Sequence, residues 1–445
     1  MGAMGTEAPV LQIPFYSPRP KIYMSLLIKN CLLIDRKVDV YIEGNRIKKI
    51  SPDISERAEK TIKADGKAVV PSYANTHTHA AMTLMRGYAD DMPLHKWLED
   101  HIWPVEAKLT DEDIYWGAKL ACLEMIKSGT TFFNDMYFHP RHVTRAAMEA
   151  GIRVCTGPVF LDLFNAERRE EEIKRNERQI DEMLKVSDGT VKAAICPHSV
   201  YTVSKAGLEW CRDVAKEHNM VLHIHLSETE KENADSVKIN GLRPAPYIKK
   251  IGLLSPKTVA AHCVWLDEGE IKELARLGVN VSYNPVSNMK LSVGSALKYM
   301  QMKAAGINVT LGTDGCASNN NLDMHESMKV AALLQKFHTN DITIMPAAEA
   351  FDMATINGMK AFGINAGLVE EGMLADLLLV NLKKANMTPN HNLLSNLVYS
   401  ASDSCIDTTI CNGKVLMENR VVEGEEEILT KAAKVAEQLV RKAKM

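Results

Sequence analysis

The chain has 445 residues, of which 46% are apolar and 24% are charged, and its formal net charge is -3. These values are ordinary for a globular protein and give no reason to expect nucleic acid or an acidic membrane surface as a partner. No run approaches the ~20 uncharged apolar residues that a bilayer-spanning helix requires. The length allows one large domain together with a smaller one.

The N-terminal segment, MGAMGTEAPVLQIPFYSPRPKIY, lacks the basic stretch followed by an apolar core that marks a secretory signal. We interpret residues 1–23 as an extension or a cloning remnant. The nine cysteines are scattered without a CxxC pair, and several, such as Cys155 and Cys263, lie within apolar runs. Such a distribution is typical of buried thiols in a reducing compartment, which favours the cytoplasm over a disulfide-linked extracellular protein.

Residues 24–70 predict short strands, because SLLIKNCLLID, VDVYIEGNRIKKI and KAVVPSY are rich in β-branched residues and a turn falls at Glu43-Gly44-Asn45. Similar runs of residues typical of strands occur after residue 372, in ADLLLVNL and in CIDTTICNGKVLMENRVV, with a turn at Asn412-Gly413. We expect the segments 24–70 and 372–445 to combine into one small β-sandwich domain. The last stretch, EEILTKAAKVAEQLVRKAKM, predicts an amphipathic C-terminal helix.

Between these segments, short apolar runs alternate with longer amphipathic stretches such as DEDIYWGAKLACLEMIKSG, which Gly129 ends. The eight runs are AVVPSYANTH, TTFFNDM, RVCTGPVF, VKAAICPHS, MVLHIHLSE, TVAAHCVW, VNVSYNP and INVTLGTD. Eight alternating units with fully apolar strands predict a closed (β/α)8 TIM-like barrel of the α/β class over residues 71–371. An open doubly wound sheet is the alternative, but it would more often begin with a Gly-rich phosphate loop, and none is present.

Histidines and carboxylates cluster at the ends of the predicted strands, where a barrel of this kind carries its chemistry. The first strand ends with His77 and His79, which share one face because a strand repeats every two residues. The other groups at strand ends are His198, His223, His225, Glu228, His262 and Asp314. Each of these histidines alone is more simply a core residue. Their joint placement predicts a cation at the site, because converging ionisable groups would otherwise desolvate and repel one another.

Histidine together with carboxylate suits Zn²⁺ or Fe²⁺. We expect one metal ion rather than two, because the fourth strand ends in His198 where some two-metal barrels carry a carbamylated lysine. Lys192 lies at the opposite end of that strand. Glu228, three residues after His225, could approach a metal-bound water without being a ligand, which is typical of a proton shuttle.

The motifs THTH, HIHLSE, AHC and LGTDGCASNN, in this order and with the flanking β segments, resemble the amidohydrolase superfamily. Within it, the chain looks like the deaminases of 5'-methylthioadenosine, S-adenosylhomocysteine or 5'-deoxyadenosine. The resemblance covers nearly everything after residue 24. Its most specific pieces are NTHTHAAMTLMRGYADDMPLHKWLEDHIWPVE and TLGTDGCASNNNLDMHESMK, since an HxH pair alone would be a weak signal.

The resemblance implies the roles of individual residues. The metal ligands would be His77, His79, His225 and Asp314, whereas His223 would lie behind them or serve packing. His262 would hydrogen-bond the metal-bound water, His198 would contact the substrate, and Glu106 would hold the ribose hydroxyls. From its spacing alone, Glu106 would merely begin a helix after Pro104. Trp103 would pack against the purine as part of the pocket wall. A role for Trp103 in the hydrophobic core is an equal alternative.

The implied reaction is hydrolytic deamination of adenine to hypoxanthine with release of ammonia. Asp314 would accept a proton as hydroxide attacks purine C6, and Glu228 would deliver one to N1. The implied cofactor is one divalent metal ion per subunit, Zn²⁺ before Fe²⁺. The implied partner is a small purine nucleoside, bound by a homo-oligomer, dimer or tetramer.

The preferred 5' substituent is a further expectation. Relatives that accept S-adenosylhomocysteine use arginines after the third strand, where this chain reads RVCTGPVFLDLFNAERRE with Pro158 near one such place. Arg168 or Arg169 could replace them, although a solvated helix face is the simpler role. We therefore expect 5'-deoxyadenosine or 5'-methylthioadenosine to be preferred. The alternatives are guanine or cytosine deamination, triazine dechlorination, and a non-catalytic binding barrel.

Overall fold

The computed structural model describes residues 23–444, apart from the side chain of His95. The segment 1–23 that the sequence marks as an extension lies outside this range except for Tyr23. The strands are β1 Ser25–Leu33, β2 Arg36–Glu43, β3 Arg46–Ser51, β4 Lys60–Lys63, β5 Lys67–Pro71, β6 Tyr73–Thr78, β7 Thr130–Tyr137, β8 Arg153–Phe160, β9 Val191–Pro197, β10 Val221–Leu226, β11 Thr258–His262, β12 Asn280–Tyr283, β13 Asn308–Leu311, β14 Leu377–Asn381, β15 Ile406–Cys411 and β16 Lys414–Met417.

Helices fill the connections between these strands. They are α1 Leu94–Trp97, α2 Trp103–Glu106, α3 Asp111–Ser128, α4 Pro140–Ala150, α5 Ala166–Val186, α6 Lys205–Glu217, α7 Glu230–Asn240, α8 Pro244–Ile251, α9 Glu268–Arg276, α10 Pro285–Lys290, α11 Tyr299–Ala305, α12 Met324–Thr339, α13 Ala347–Ala354, α14 Ile356–Ala361, α15 Leu393–Tyr399 and α16 Glu425–Ala443. Short 3-10 helices lie at Ala80–Met85, Ala385–Met387 and Asp403–Cys405, and a π-helical turn spans Leu98–Ile102.

The strands β6 to β13 form one parallel sheet in sequence order. The sheet curls until its first and last strands approach. Thr76 Oγ1 of β6 donates to the carbonyl of Leu311 in β13 at 2.9 Å, and the Asp314 amide donates to the His77 carbonyl at 3.0 Å. The predicted (β/α)8 barrel is therefore confirmed, and the C-terminal ends of its strands meet at one mouth.

The second sheet combines both ends of the chain, as predicted. Its order is β16-β15-β14-β5-β1-β2-β3, with β4 paired to β1. Strand β14 from the C-terminal segment pairs antiparallel with β5 from the N-terminal segment. This pairing joins the two segments, which are far apart in the sequence, into one sheet. The run AVVPSYANTH, which the sequence presents as one barrel strand, is divided at Ser72: β5 belongs to this sheet and β6 to the barrel.

Buried apolar side chains explain the layers. Strands such as β7 and β8 are buried at every position, because the parallel sheet is covered on both faces. The nine cysteines are all buried and free of disulfides, in agreement with the sequence interpretation of thiols in apolar runs. Across residues 23–444, none of the helices has both the length and the apolar composition that crossing a bilayer requires.

Candidate active site

The mouth of the barrel brings together the histidines that the sequence places at strand ends. Ring nitrogens of His77, His79 and His225 lie within 4.8 Å of one another, and the same limit holds for His77, His262 and a carboxylate oxygen of Asp314. His77 and His79 lie at the end of β6, whereas the other three residues come from β10, β11 and the loop after β13. Barrel closure brings these distant segments together.

Hydrogen bonds fix which nitrogen two of these histidines present. His79 Nδ1 lies 2.6 Å from the Met136 carbonyl, and His225 Nδ1 lies 2.8 Å from the His198 carbonyl. Because a carbonyl only accepts, each Nδ1 must carry the proton and donate. In its neutral form each ring therefore presents the Nε2 lone pair, which is the arrangement that metal-binding histidines show. Burial lowers the pKa of His79, but the adjacent Asp314 carboxylate outweighs it and raises that pKa to about 9, so a bound cation would replace the Nε2 proton of His79.

His77 is buried most deeply. Its Nδ1 lies 2.9 Å from His223 Nε2, and His223 Nδ1 in turn meets Asn134 Nδ2 at 2.9 Å. The Nε2 of His77 is buried and makes no hydrogen bond of acceptable geometry among the described residues, although Asp314 Oδ1 lies 3.2 Å away. His223 thus stands behind His77, where it can orient the ring, and it does not line the cavity.

The two oxygens of Asp314 have different surroundings. Oδ1 lies 3.2 Å from His77 Nε2 and 3.1 Å from His79 Nε2. Oδ2 accepts hydrogen bonds from the hydroxyls of Ser287 (2.6 Å) and Ser318 (2.8 Å), which hold the carboxylate in one orientation. Burial would raise the pKa of Asp314, but the adjacent His77 and His79 imidazoles outweigh it and lower that pKa well below its usual range.

His262 differs from the other histidines in its tautomer. Its Nδ1 accepts from Asn288 Nδ2 at 2.9 Å and faces Asn284 Nδ2 at 3.3 Å. Burial, with the neighbouring histidines, lowers its pKa to about 3, so the ring is neutral at neutral pH and its proton resides on Nε2. His262 can therefore donate a hydrogen bond into the cavity, which suits contact with a water better than direct ligation.

Glu228 lies on the turn between β10 and α7. Its Oε1 is 3.7 Å from His262 Nδ1, and its side chain forms part of the cavity wall. Burial raises the pKa of Glu228 well above its usual range, and the nearby charges of Asp314 and Glu232 act in the same direction. A raised pKa favours the protonated form of this carboxyl group, and the protonated form is the one that a general acid requires.

A cavity of about 460 Å³ connects these groups with the barrel exterior. The side chains of Trp103, His198 and Glu106 line it together with apolar residues from the loops after β6, β7 and β8. Burial lowers the pKa of His198 to about 3, so this ring is neutral as well. The volume suits a ligand of nucleoside size, in a pocket with an apolar wall and few polar groups.

Glu106 stands at the end of α2 and lines the same cavity as Asp314. Its Oε1 accepts a 2.8 Å hydrogen bond from the Tyr137 hydroxyl at the end of β7. Burial raises the pKa of Glu106 to about 7, while the Tyr137 hydrogen bond and the charge of His79 limit the increase. The short helix expected after Pro104 is present, and the same residue also faces the cavity.

Arg168 and Arg169 occupy different places. Arg168 is exposed, as a solvated helix face would require, yet its side chain also forms part of the cavity wall, and its Nε donates to the Leu161 carbonyl at 2.9 Å. Arg169 is half-buried, with its Nε 3.8 Å from Glu170, and does not line the cavity.

The site contains several residues that the sequence did not indicate. Ser318 follows Asp314 by four residues in the quoted motif, and Tyr137 ends the second barrel strand, so position alone could have flagged both. Ser287, Asn134 and Asn288 carried no comparable signal, because serine and asparagine at these places are also ordinary helix or strand residues.

The donor set fits a divalent cation. His79 and His225 present their Nε2 atoms when neutral, His77 has an unsatisfied buried nitrogen, and Asp314 directs one oxygen to the same point. Three imidazoles and one carboxylate are ligands that Zn²⁺ and Fe²⁺ accept in catalytic sites.

Comparison with known proteins gives a family match. The model of the family described as the amidohydrolase family matches residues 68–416, which include every strand of the barrel, β6 to β13. That interval contains all of the histidines and carboxylates described above.

Two curated relatives are similar along nearly the whole chain. The 5-methylthioadenosine/S-adenosylhomocysteine deaminase 1 of Archaeoglobus fulgidus is 51% identical, over 94% of this chain and 100% of the relative. The 5'-deoxyadenosine deaminase of Methanoregula boonei is 50% identical, over 94% of this chain and 96% of the relative.

Solved structures share the fold. An adenosine deaminase from Xanthomonas campestris with bound zinc superposes with a TM-score of 0.88 at 33% identity, covering 96% of this chain and 100% of that one. Atrazine chlorohydrolase from Arthrobacter aurescens gives a TM-score of 0.85 at 22% identity, covering 92% and 100%. At that lower identity the likeness extends to the fold alone.

Proposed function

The chain belongs to the amidohydrolase family, and on that premise we propose that it is a metal-dependent hydrolase that converts the adenine of 5'-modified adenosines to hypoxanthine with release of ammonia. Relatives at about 50% identity with deaminase names support the reaction. The observation that carries the substrate class is the cavity itself, which joins the histidine-carboxylate centre to the Glu106 carboxylate. A free nucleobase has no ribose, and so it has no vicinal hydroxyls that could donate hydrogen bonds to the Glu106 carboxylate.

The residues that would hold the metal ion are His77, His79, His225 and Asp314, with Zn²⁺ preferred over Fe²⁺. When bound, such an ion lowers the pKa of a coordinated water to about 7 and so supplies hydroxide at neutral pH. The preference for Zn²⁺ is supported by the donor set and by the zinc named with the Xanthomonas campestris structure.

Three side chains then act on the substrate and the attacking water. Asp314 is the base that accepts the water proton, since its carboxylate is ionised and faces the centre. Glu228 is the acid that protonates purine N1, so that negative charge does not accumulate on the ring as C6 becomes tetrahedral. The Nε2 proton of His262 orients the water. Asp314 then gives the proton it accepted to the amino group, which leaves C6 as ammonia, and the Glu228 carboxylate takes the proton of the C6 hydroxyl. The ring becomes planar again, the oxygen remains as a carbonyl, and both carboxyl groups return to their starting states.

Substrate binding is assigned to the remaining cavity residues. Glu106 accepts hydrogen bonds from the two ribose hydroxyls, for which an ionised carboxylate offers two oxygens. His198 contacts the purine, and Trp103 packs against it as part of the cavity wall. The apolar loop after β8 favours a methyl or methylthio 5' group, while Arg168 at the mouth is the one cationic side chain among the residues lining this cavity.

We further propose that the enzyme acts in the cytoplasm as a homo-oligomer. Nine free buried cysteines support a reducing compartment. Leu333 and Phe337, one turn apart on α12, are 47% and 88% exposed, and exposed apolar side chains of this kind favour self-association. Light scattering of the purified protein measures its assembly state.

The deciding experiment is an ammonia-release assay on adenosine, 5'-deoxyadenosine, 5'-methylthioadenosine, S-adenosylhomocysteine, guanine and cytosine, with and without a chelator. We expect turnover of the 5'-modified adenosines, lost with the chelator and restored by Zn²⁺. Glu228→Gln should retain the metal and lose activity by about 10²- to 10⁴-fold. Turnover of guanine or cytosine alone, or Glu106→Gln with unchanged kcat/KM, would contradict the nucleoside assignment.

A further inference from the structure

A buried carboxylate lies directly behind Glu228 and outside the cavity. Glu232, in the first turn of α7, is 3% exposed and does not line the cavity. Its Oε1 accepts a 3.0 Å hydrogen bond from the Ser227 amide, and its Oε2 accepts a 2.7 Å hydrogen bond from the Glu228 amide. The two oxygens therefore bind two consecutive backbone N–H groups.

This contact exceeds ordinary helix capping. Thr229 is the N-cap of α7, and its hydroxyl accepts from the Glu232 amide at 3.1 Å. A glutamate at this helical position commonly returns to the amide of its own N-cap. Here the Glu232 side chain accepts from the amides of Glu228 and Ser227, which lie one and two residues before the N-cap, in the turn that precedes the helix.

The turn needs such support. Ser227 has φ +48°, a left-handed conformation that a residue with a Cβ adopts at a cost. Its carbonyl accepts from the Trp265 amide at 2.9 Å, so the turn is held from the neighbouring loop as well. Because Glu228 follows Ser227 directly, the direction of its side chain depends on this backbone geometry.

We propose that Glu232 is a positioning residue, which fixes the turn from which Glu228 reaches the cavity. The inference depends on the proposed function, since it takes Glu228 as the proton donor of the deamination. Burial raises the pKa of Glu232 to about 7, although the amide hydrogen bonds oppose that increase. In the ionised form the bonds to two amides are charge-assisted and hold the turn more tightly than neutral ones would. Only a carboxylate offers two acceptors at this spacing, because an amide would place an N–H against one of the two backbone donors.

The test compares Glu232→Gln with Glu230→Gln, its matched control. Glu230 lies two residues away in the same turn of α7 and is exposed. With 5'-deoxyadenosine, we expect Glu232→Gln to lower kcat by about 10- to 100-fold, the scale on which a misplaced catalytic group acts. KM and bound zinc per subunit should stay near the wild-type values, and Glu230→Gln should match the wild type throughout.

A purely structural role predicts another pattern, in which the unfolding temperature, zinc content and KM change together with kcat. That pattern, or a kcat for Glu232→Gln equal to that of Glu230→Gln, would overturn the proposal. If Glu232→Gln fails to fold, Glu232→Asp decides: a lower kcat at unchanged KM supports positioning, and an unchanged kcat overturns it. Wild-type protein that deaminates none of the nucleosides would contradict the proposed function instead.

Discussion

The Tyr137 hydroxyl donates a 2.8 Å hydrogen bond to Glu106 Oε1 and so links the end of a barrel strand to the helix that carries the carboxylate proposed to bind ribose. The loop between β6 and α3 is long and contains several short helices, which alone would orient Glu106 poorly. Because β7 is buried along its length, Tyr137 gives the carboxylate a fixed support. The position of Glu106 is therefore set partly by the barrel itself.

Tyr137→Phe should weaken nucleoside binding in a pH-dependent manner. Burial places the pKa of Glu106 at about 7, and loss of the Tyr137 hydrogen bond, which lowers that pKa, moves it higher. The ionised fraction of Glu106 at pH 7 then falls, so KM for 5'-deoxyadenosine should rise by about 3- to 10-fold, as loss of one hydrogen bond to a charged group implies. Because the carboxylate ionises as the pH rises, KM should approach the wild-type value near pH 9.

A bound cation lowers the pKa of Glu106 in the variant and the wild type alike, so the difference between them remains. Tyr115→Phe is the matched control, since Tyr115 donates at 2.6 Å to Glu149, a pair outside the cavity. Steady-state kinetics between pH 6 and pH 9 measure both variants. An increase in KM that does not diminish with pH would contradict this reasoning.

The sequence allowed the barrel and the histidine-carboxylate cluster at its mouth to be predicted because both depend on local patterns. His77 and His79 follow an apolar strand, and His225 and Asp314 do so in their own strands, so the topology of a closed barrel suffices to bring them together. Tyr137 and Glu106 are 31 residues apart on a strand and a loop helix, and no periodicity relates them. Their contact depends on the path of an irregular loop.

The division of AVVPSYANTH at Ser72 has a comparable cause. Both halves are apolar and β-rich, so the pattern along the chain is continuous. The Ser72 amide donates to the Asp376 carbonyl at 3.1 Å, and the Tyr73 amide donates to the Gly129 carbonyl at 2.9 Å. The change of sheet is therefore specified by partners from two distant segments, which the run itself does not reveal.

His223→Gln should weaken metal binding while the protein remains folded. His223 Nε2 lies 2.9 Å from His77 Nδ1, and such partners of metal-binding histidines contribute about 10- to 100-fold to affinity. Competition with a chromogenic chelator measures the zinc affinity without reference to catalysis. The exposed His218→Gln serves as the control and should bind zinc as the wild type does. An affinity equal to the wild type would show that His223 only fills space.

Arg168→Leu should separate substrates by their 5' group. The guanidinium lies at the cavity mouth but is exposed, so its contribution to a carboxylate tail should be about 1 kcal/mol, or roughly fivefold. We expect kcat/KM for S-adenosylhomocysteine to fall by that factor and kcat/KM for 5'-deoxyadenosine to stay constant. Arg169→Leu, outside the cavity, is the control. In the wild type, a kcat/KM for S-adenosylhomocysteine equal to or above that for 5'-deoxyadenosine would overturn the preference for small 5' groups.

Arg153→Met should destabilise the protein strongly, because it leaves a buried charge without its partner. Arg153, at the start of β8, is 2% exposed, and its Nε donates at 2.6 Å to Asp376, which is 1% exposed and precedes β14 of the second sheet. Removing one member of a buried pair costs about 3 to 5 kcal/mol, whereas removing both costs less. Urea denaturation should show that loss for Arg153→Met and a partial recovery for Arg153→Met combined with Asp376→Asn.

An exposed ion pair gives the matched control for this prediction. Arg441 and Glu437 on α16 are 74% and 73% exposed in their side chains, so Arg441→Met should change the free energy of unfolding by less than about 0.5 kcal/mol. If Arg153→Met were equally mild, the two sheets would be held together by their apolar contacts alone. The bond from Arg153 Nη2 to Asn412 Oδ1, at 2.7 Å, argues against that outcome, because it ties the same guanidinium to the β15–β16 turn.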